Sequence, residues 1–303
     1  MSALVSPPTG NTAAGPGERW PLARVALRQY RIPALILLLL AVRTGVPLVY
    51  HYGGWADALT LRDHVGSQAY RLGRYAHDAH KQTATLLANG SPLAFLPAMI
   101  AALLTGTLTA REWETRRVVL ALTQSVTPRR WFTVRWATLA TIVAALTIPL
   151  VALYRMNAVH AFRLDLFTYG IDRQTAYYTI GPVTVAYVLL GAAAGALTGT
   201  VLRRALPALV AAPLLTWLAV AVLVRSRAVL LLDFPLFSKV HGVHPGGVLG
   251  LQFYDALPQD NYLISSLDAT DYWGYQIAST VLALAAAALF TFAALRVLRR
   301  RLA

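Results

Sequence analysis

Residues 92–154 read PLAFLPAMIAALLTGTLTAREWETRRVVLALTQSVTPRRWFTVRWATLATIVAALTIPLVALY. Two apolar runs, Pro92–Thr109 and Ala137–Tyr154, flank a segment with six arginines and two glutamates, 109–136. Each run approaches the roughly 20 residues needed to cross a hydrocarbon core as a helix. A charged, helix-patterned segment between two such runs is what a chain shows when it leaves a membrane and turns back into it. This hairpin sets the fold class.

The rest of the chain repeats the motif. Of 303 residues, 57% are hydrophobic and 13% charged, about half the charged content of an ordinary soluble domain. Further spanning runs lie at Ile32–Tyr50, Thr179–Val201, Leu206–Val224 and Tyr275–Leu295. The prediction is an all-α, polytopic membrane protein with six transmembrane helices in a single domain, 32–303. Ahead of it, residues 1–18, rich in Pro, Gly, Thr and Ala, read as a disordered tail. Within 19–31, Trp20, Leu22, Val25 and Ala26 alternate with Arg24, Arg28 and Arg31 as in an amphipathic interfacial helix. About 30 residues precede the first run and no small-residue cleavage site follows it, so it does not read as a cleaved signal.

Charge fixes the expected orientation. With the N-terminus inside, segments 1–31, 110–136, 202–205 and 296–303 hold 16 of the 27 basic residues but only 3 of the 13 acidic ones. Both termini are then cytoplasmic by the positive-inside rule. The same asymmetry accounts for nearly all of the net charge of +14, so no nucleic-acid partner is called for. The extracellular segments become 51–91, 155–178 and 225–274. Leu61–Leu87, mixed in polarity and free of proline, is expected as a projecting helix. Val229–Phe237 is too short to span and reads as re-entrant or interfacial.

Several chemistries are missing. With no cysteine in the chain, disulfides and thiolate chemistry are excluded. No Gly-x-x-x-x-Gly-Lys-Ser/Thr loop occurs, so the chain does not hydrolyse a nucleotide by that route. No carboxylate falls in a predicted span, which argues against an ion-coupled carrier. His77 with His80 and His241 with His244 have metal-like spacing but no compelling third ligand, and solvated loop histidines are the plainer reading. Arg43 lies within the first span, facing either the translocation path and bundle interior or snorkelling outward. Gly191, Gly195 and Gly199 form a stripe for close helix packing, within the chain or between subunits.

In the charged segment, Glu112 and Glu114 are expected to open a surface helix of about 112–126. Glu112 would pair with Arg116, Val118, Ala121, Leu122 and Val126 would line one side, and Pro128 would stop it. Arg129, Arg130, Trp131 and Trp136 would anchor the return to the membrane. Here the residues resemble a known family. Ala110–Glu114, Thr123–Val126 and Arg130-Trp131 are similar to the segment after the second span in ABC transporter permeases of the type-2 exporter class, nearest their actinobacterial branch. LRRALP at 202–207 and DYWGYQ at 271–276 resemble the same branch. The likeness runs from about residue 92 to the end. It departs at Thr115-Arg116-Arg117, where relatives often have Gly-Thr.

The resemblance implies a non-enzymatic permease subunit of the bacterial plasma membrane, exporting an amphiphilic or hydrophobic substrate. Its partners would be a second copy or sister permease, the lipid bilayer, and a separate ABC ATPase that holds the ATP and Mg; this chain itself needs no cofactor. Residues 19–31 would be the connecting helix and 112–126 the coupling helix. Glu112, Glu114, Arg116, Arg117, Gln124, Arg129 and Arg130 would make the ATPase contact. A metal-dependent membrane enzyme and a ligand-sensing scaffold built on the outer loops are the alternatives.

Overall fold

The computed structural model describes residues 30–65, 74–116, 118, 127–163, 179–233 and 269–302. They form six helices: α1 (Arg31–Val65), α2 (Arg74–Glu114), α3 (Pro128–Arg163), α4 (Val183–Leu202), α5 (Ala205–Asp233) and α6 (Ala269–Leu302). Each contains a stretch long and apolar enough to cross a membrane: Arg31–Tyr50, Pro92–Glu114, Arg129–Val159, Val183–Leu202, Ala205–Val224 and Gln276–Arg301. The described chain is therefore all-helical, with six candidate spans in the expected places.

α4 is the central helix. Two thirds of its span, 67%, is buried, against 11% for α1, and it packs on α2, α3, α5 and α6. The sequence explains this position. Gly-Ala-Ala-Ala-Gly-Ala over 191–196 is small on every face, so neighbours approach from all sides. The glycine stripe lies against α2 of the same chain. A methyl group on Gly191 would overlap the carbonyl oxygen of Ala98, on Gly195 that of Ala102, and on Gly199 that of Gly106.

The larger side chains fill the far end of the bundle. Leu48, Leu93, Tyr154, Ile180, Tyr187 and Leu190 are buried together, and the Tyr187 ring stacks on Phe95 at 6.3 Å. Asn157 of α3 donates to the Leu48 carbonyl of α1 at 3.1 Å. The Thr179 hydroxyl donates to the Gly90 carbonyl of α2 at 2.9 Å. Hydroxyls along the spans, including Thr107, Thr147, Thr198 and Thr216, bond back to a carbonyl of their own helix. This is how an apolar span carries threonine with its polar group satisfied.

Several boundaries differ from expectation. α4 begins at Val183 rather than Thr179 because Gly181-Pro182 forms the turn ahead of it. α1 runs unbroken through Pro47 to Val65, and α2 is already helical at Arg74. The helix expected over Leu61–Leu87 is thus represented by the far ends of two long helices, each continuous with its span. Likewise α3 continues to Arg163, and the first part of Val229–Phe237 prolongs α5 to Asp233. The tail 1–18, the interfacial helix up to residue 29, and the pair His241 and His244 lie outside the described residues.

Candidate functional site: the arginine-rich end

The beginnings of α1, α3 and α5 and the ends of α2, α4 and α6 meet at one end of the bundle. The last turn of α2 organises it. Glu112 and Glu114 stand two residues apart, so they point to different sides of the helix. Glu112 is 4% exposed and forms an ion pair with Arg135 of α3. The Arg135 guanidinium also lies over the Trp131 ring, 5.1 Å from its centroid. Tyr30, just ahead of α1, is buried beside this pair and lines the same pocket. Burial raises the pKa of its phenol, and the Arg135 charge offsets part of that rise.

Glu114 turns the other way. Its carboxylate accepts the Ala205 backbone N–H at 2.8 Å and so caps the N-terminus of α5, where backbone donors are unsatisfied and a negative charge is favoured. Next to it, Trp113 lies beneath the Arg203 guanidinium at 4.7 Å. Arg203 itself ends α4 in a left-handed conformation, φ 56°, with its N–H donated to Gly199 at 3.2 Å. Desolvation, and secondarily Arg301, hold the Arg203 pKa below the usual arginine value. Arg301 of α6 donates to the Thr200 carbonyl at 3.3 Å. Two adjacent residues of α2 therefore clasp the α4–α5 linker, and α6 is bonded to the end of α4.

The chain leaves α2 through a second left-handed residue, Arg116 at φ 55°, whose N–H is donated to the Trp113 carbonyl. Val118 then returns to the core, fully buried with Trp131, Phe132, Ala294 and Leu298. Thr127 caps the next helix, its hydroxyl accepting the Arg130 N–H at 3.4 Å. Pro128 follows as the first residue of α3, where a missing N–H does no harm.

These contacts correct the sequence reading at three points. Glu112 and Glu114 close α2; they do not open a new helix. Glu112 pairs with Arg135, because Arg116 has already left the helix. Pro128 starts α3, which begins nine residues before the expected Ala137. Arg43, for which the sequence left two positions open, is exposed on α1 within the single chain. Of the other expected contact residues, Arg116, Arg129 and Arg130 are exposed, while Arg117 and Gln124 lie outside the described residues. Tyr30, Trp113, Arg135, Arg203 and Arg301 were not anticipated. The i, i+4 spacing of Trp131 and Arg135 was the one visible hint.

The result is a sorted surface. Glu112 is buried in its ion pair, Glu114 is exposed but bonded to the start of α5, and Arg111, Arg116, Arg129, Arg130, Arg204 and Arg300 are exposed around them. The same contacts tie the end of α2 to α3, to the end of α4 and to the start of α5. Among the described residues no group of His, Asp or Glu is gathered to hold a metal ion.

Comparison with known proteins gives one result. A family model described as "ABC-2 membrane transporter related" matches residues 32–228. No curated protein and no solved structure matches the chain.

Proposed function

The chain belongs to the ABC-2 membrane transporter-related family, and we propose that it is the permease subunit of an ATP-driven exporter. An amphiphilic or hydrophobic substrate crosses the membrane by alternating access, driven by a separate ABC ATPase that binds ATP and Mg. Two permeases, identical or sister chains, form the pathway. The arginine-rich end faces the cytoplasm of a bacterium of the actinobacterial type, so both termini are cytoplasmic and the opposite ends of the helices are extracellular. The amphipathic stretch 19–31 acts as the connecting helix.

The observation that supports this most directly is the clasp at the end of α2. A coupling segment must touch the ATPase outside and grip the transmembrane helices inside. We assign the outer role to Arg116, just past the end of α2, to Arg117 and Gln124 in the segment that follows, and to Arg129 and Arg130 in the first turn of α3. Glu112 and Glu114 take the inner role, through Arg135 and the start of α5. The exposed face of α1 that carries Arg43 borders the translocation path.

Reconstitution tests the reading. Candidate ABC ATPases from the same genome are tagged and co-expressed with the permease, and the purified complex is assayed for ATP-dependent transport in liposomes. Stoichiometric co-purification is expected, and charge reversal at Arg129 and Arg130 should abolish it while the permease stays monodisperse. If every candidate ATPase elutes without the permease, the reading is wrong.

A further inference from the structure

Arg43 is unabsorbed by the packing. It is the sole charge between Arg31 and Tyr50, and it is exposed among Leu39, Leu40, Val42 and Val46, which are exposed too. At 1.5 Å per residue, Arg43 stands about 18 Å from Arg31 and about 10 Å from Tyr50 along α1. The two ends are about 28 Å apart, close to the thickness of the hydrocarbon core.

The nearer surface is the Tyr50 end, but side chains on a helix lean toward its N-terminus. Arg43 therefore leans away from the surface it would have to reach and toward the middle of the membrane. Gly45 and Pro47 follow within a turn. Pro47 also removes the N–H that would reach the Arg43 carbonyl, so the polar groups of α1 are concentrated at this level.

A guanidinium in this position needs a negative partner. No carboxylate among the described residues pairs with it. Because the second span runs to Glu114 and not to the expected Thr109, the six spans contain two carboxylates, Glu112 and Glu114. Both lie at the arginine-rich end, about 18 Å below Arg43, and both are engaged. A second copy of the chain would bring the same spans with the same two glutamates, and so no counter-charge at this level.

We propose that Arg43 binds the anionic head of an amphiphile, a phosphate or carboxylate carried on an apolar tail that lies along the exposed face of α1. That this amphiphile is also the cargo rests on the permease reading; the binding does not.

The test uses the full-length chain in neutral maltoside micelles, without ATPase, so its outcome is separate from that of reconstitution. Phosphatidylglycerol and phosphatidylcholine with the same acyl chains are titrated in, and thermal stability and lipid retention by native mass spectrometry are read. Wild type should be stabilised by phosphatidylglycerol beyond phosphatidylcholine, as expected for a ligand bound by the folded state. R43M, which removes the charge and keeps the length, should have a higher basal Tm and bind phosphatidylglycerol about tenfold more weakly. R43K should retain part of the preference. The arginines of the bundle end are common to all variants and drop out of the comparison. An equal response of R43M and wild type to phosphatidylglycerol overturns the proposal. So does equal stabilisation of wild type by inorganic phosphate, which would make the site one for a free anion.

Discussion

Replacing Arg135 by methionine should harm the fold more than replacing Glu112 by glutamine, although the two changes break the same ion pair. The asymmetry follows from burial. The Glu112 side chain is 5% accessible and that of Arg135 23%. R135M leaves a carboxylate stranded among Thr105, Thr109 and Trp131, and losing one partner of a buried pair costs about 3 kcal/mol or more. E112Q leaves a guanidinium that still has solvent and the Trp131 face, so about 1–2 kcal/mol is expected. The double variant E112Q/R135M removes both charges and should lie within about 1 kcal/mol of wild type, giving a coupling energy of about 3–5 kcal/mol. Tyr30 does not disturb the ranking. Its pKa is raised by burial, which outweighs the lowering by Arg135, so the phenol adds no charge beside the native pair. Thermal unfolding in detergent gives the order directly. An E112Q protein as unstable as R135M, or a double variant showing the sum of the single losses, would refute the idea of a mutually dependent buried pair.

Two further changes probe the packing around it. Gly195→Leu should separate α4 from α2, because a side chain there meets the backbone of Ala102 and Gly106. A loss of about 3 kcal/mol and early aggregation on heating are expected, and a stable, monodisperse protein would contradict the close approach. Glu114→Ala should cost about 1 kcal/mol through the lost cap on α5, with Glu114→Gln retaining part of it. Hydrogen exchange of the Ala205 amide reads this locally, and unchanged protection in the alanine variant would remove the cap.

The membrane architecture was legible because it depends on composition along short windows. A run such as Pro92–Thr109 must be helical in lipid to satisfy its own backbone, whatever surrounds it. The glycine stripe was legible for a similar reason, since three small residues four apart leave room for a neighbour wherever that neighbour comes from. Residues 112–116 were misread because two rules gave opposite answers. Paired glutamates favour the first turn of a helix, yet here the apolar run before them carries α2 through Glu114. The left-handed break at Arg116 has no glycine to announce it. Pro128 is equally ambiguous by itself, since proline both follows helices and opens them.

By itself, then, the sequence determined the six spans, the charge asymmetry between the two ends and the small-residue character of α4, all of which are local properties of apolar length and residue size. The tertiary structure alone decided which arginine neutralises Glu112, that Glu114 caps a helix 91 residues further along the chain, and that Arg43 is exposed on α1 within the single chain. Those are questions of which side chain meets which across helices. Coulombic and capping interactions act over a few ångströms of space, and distance along the chain says little about them.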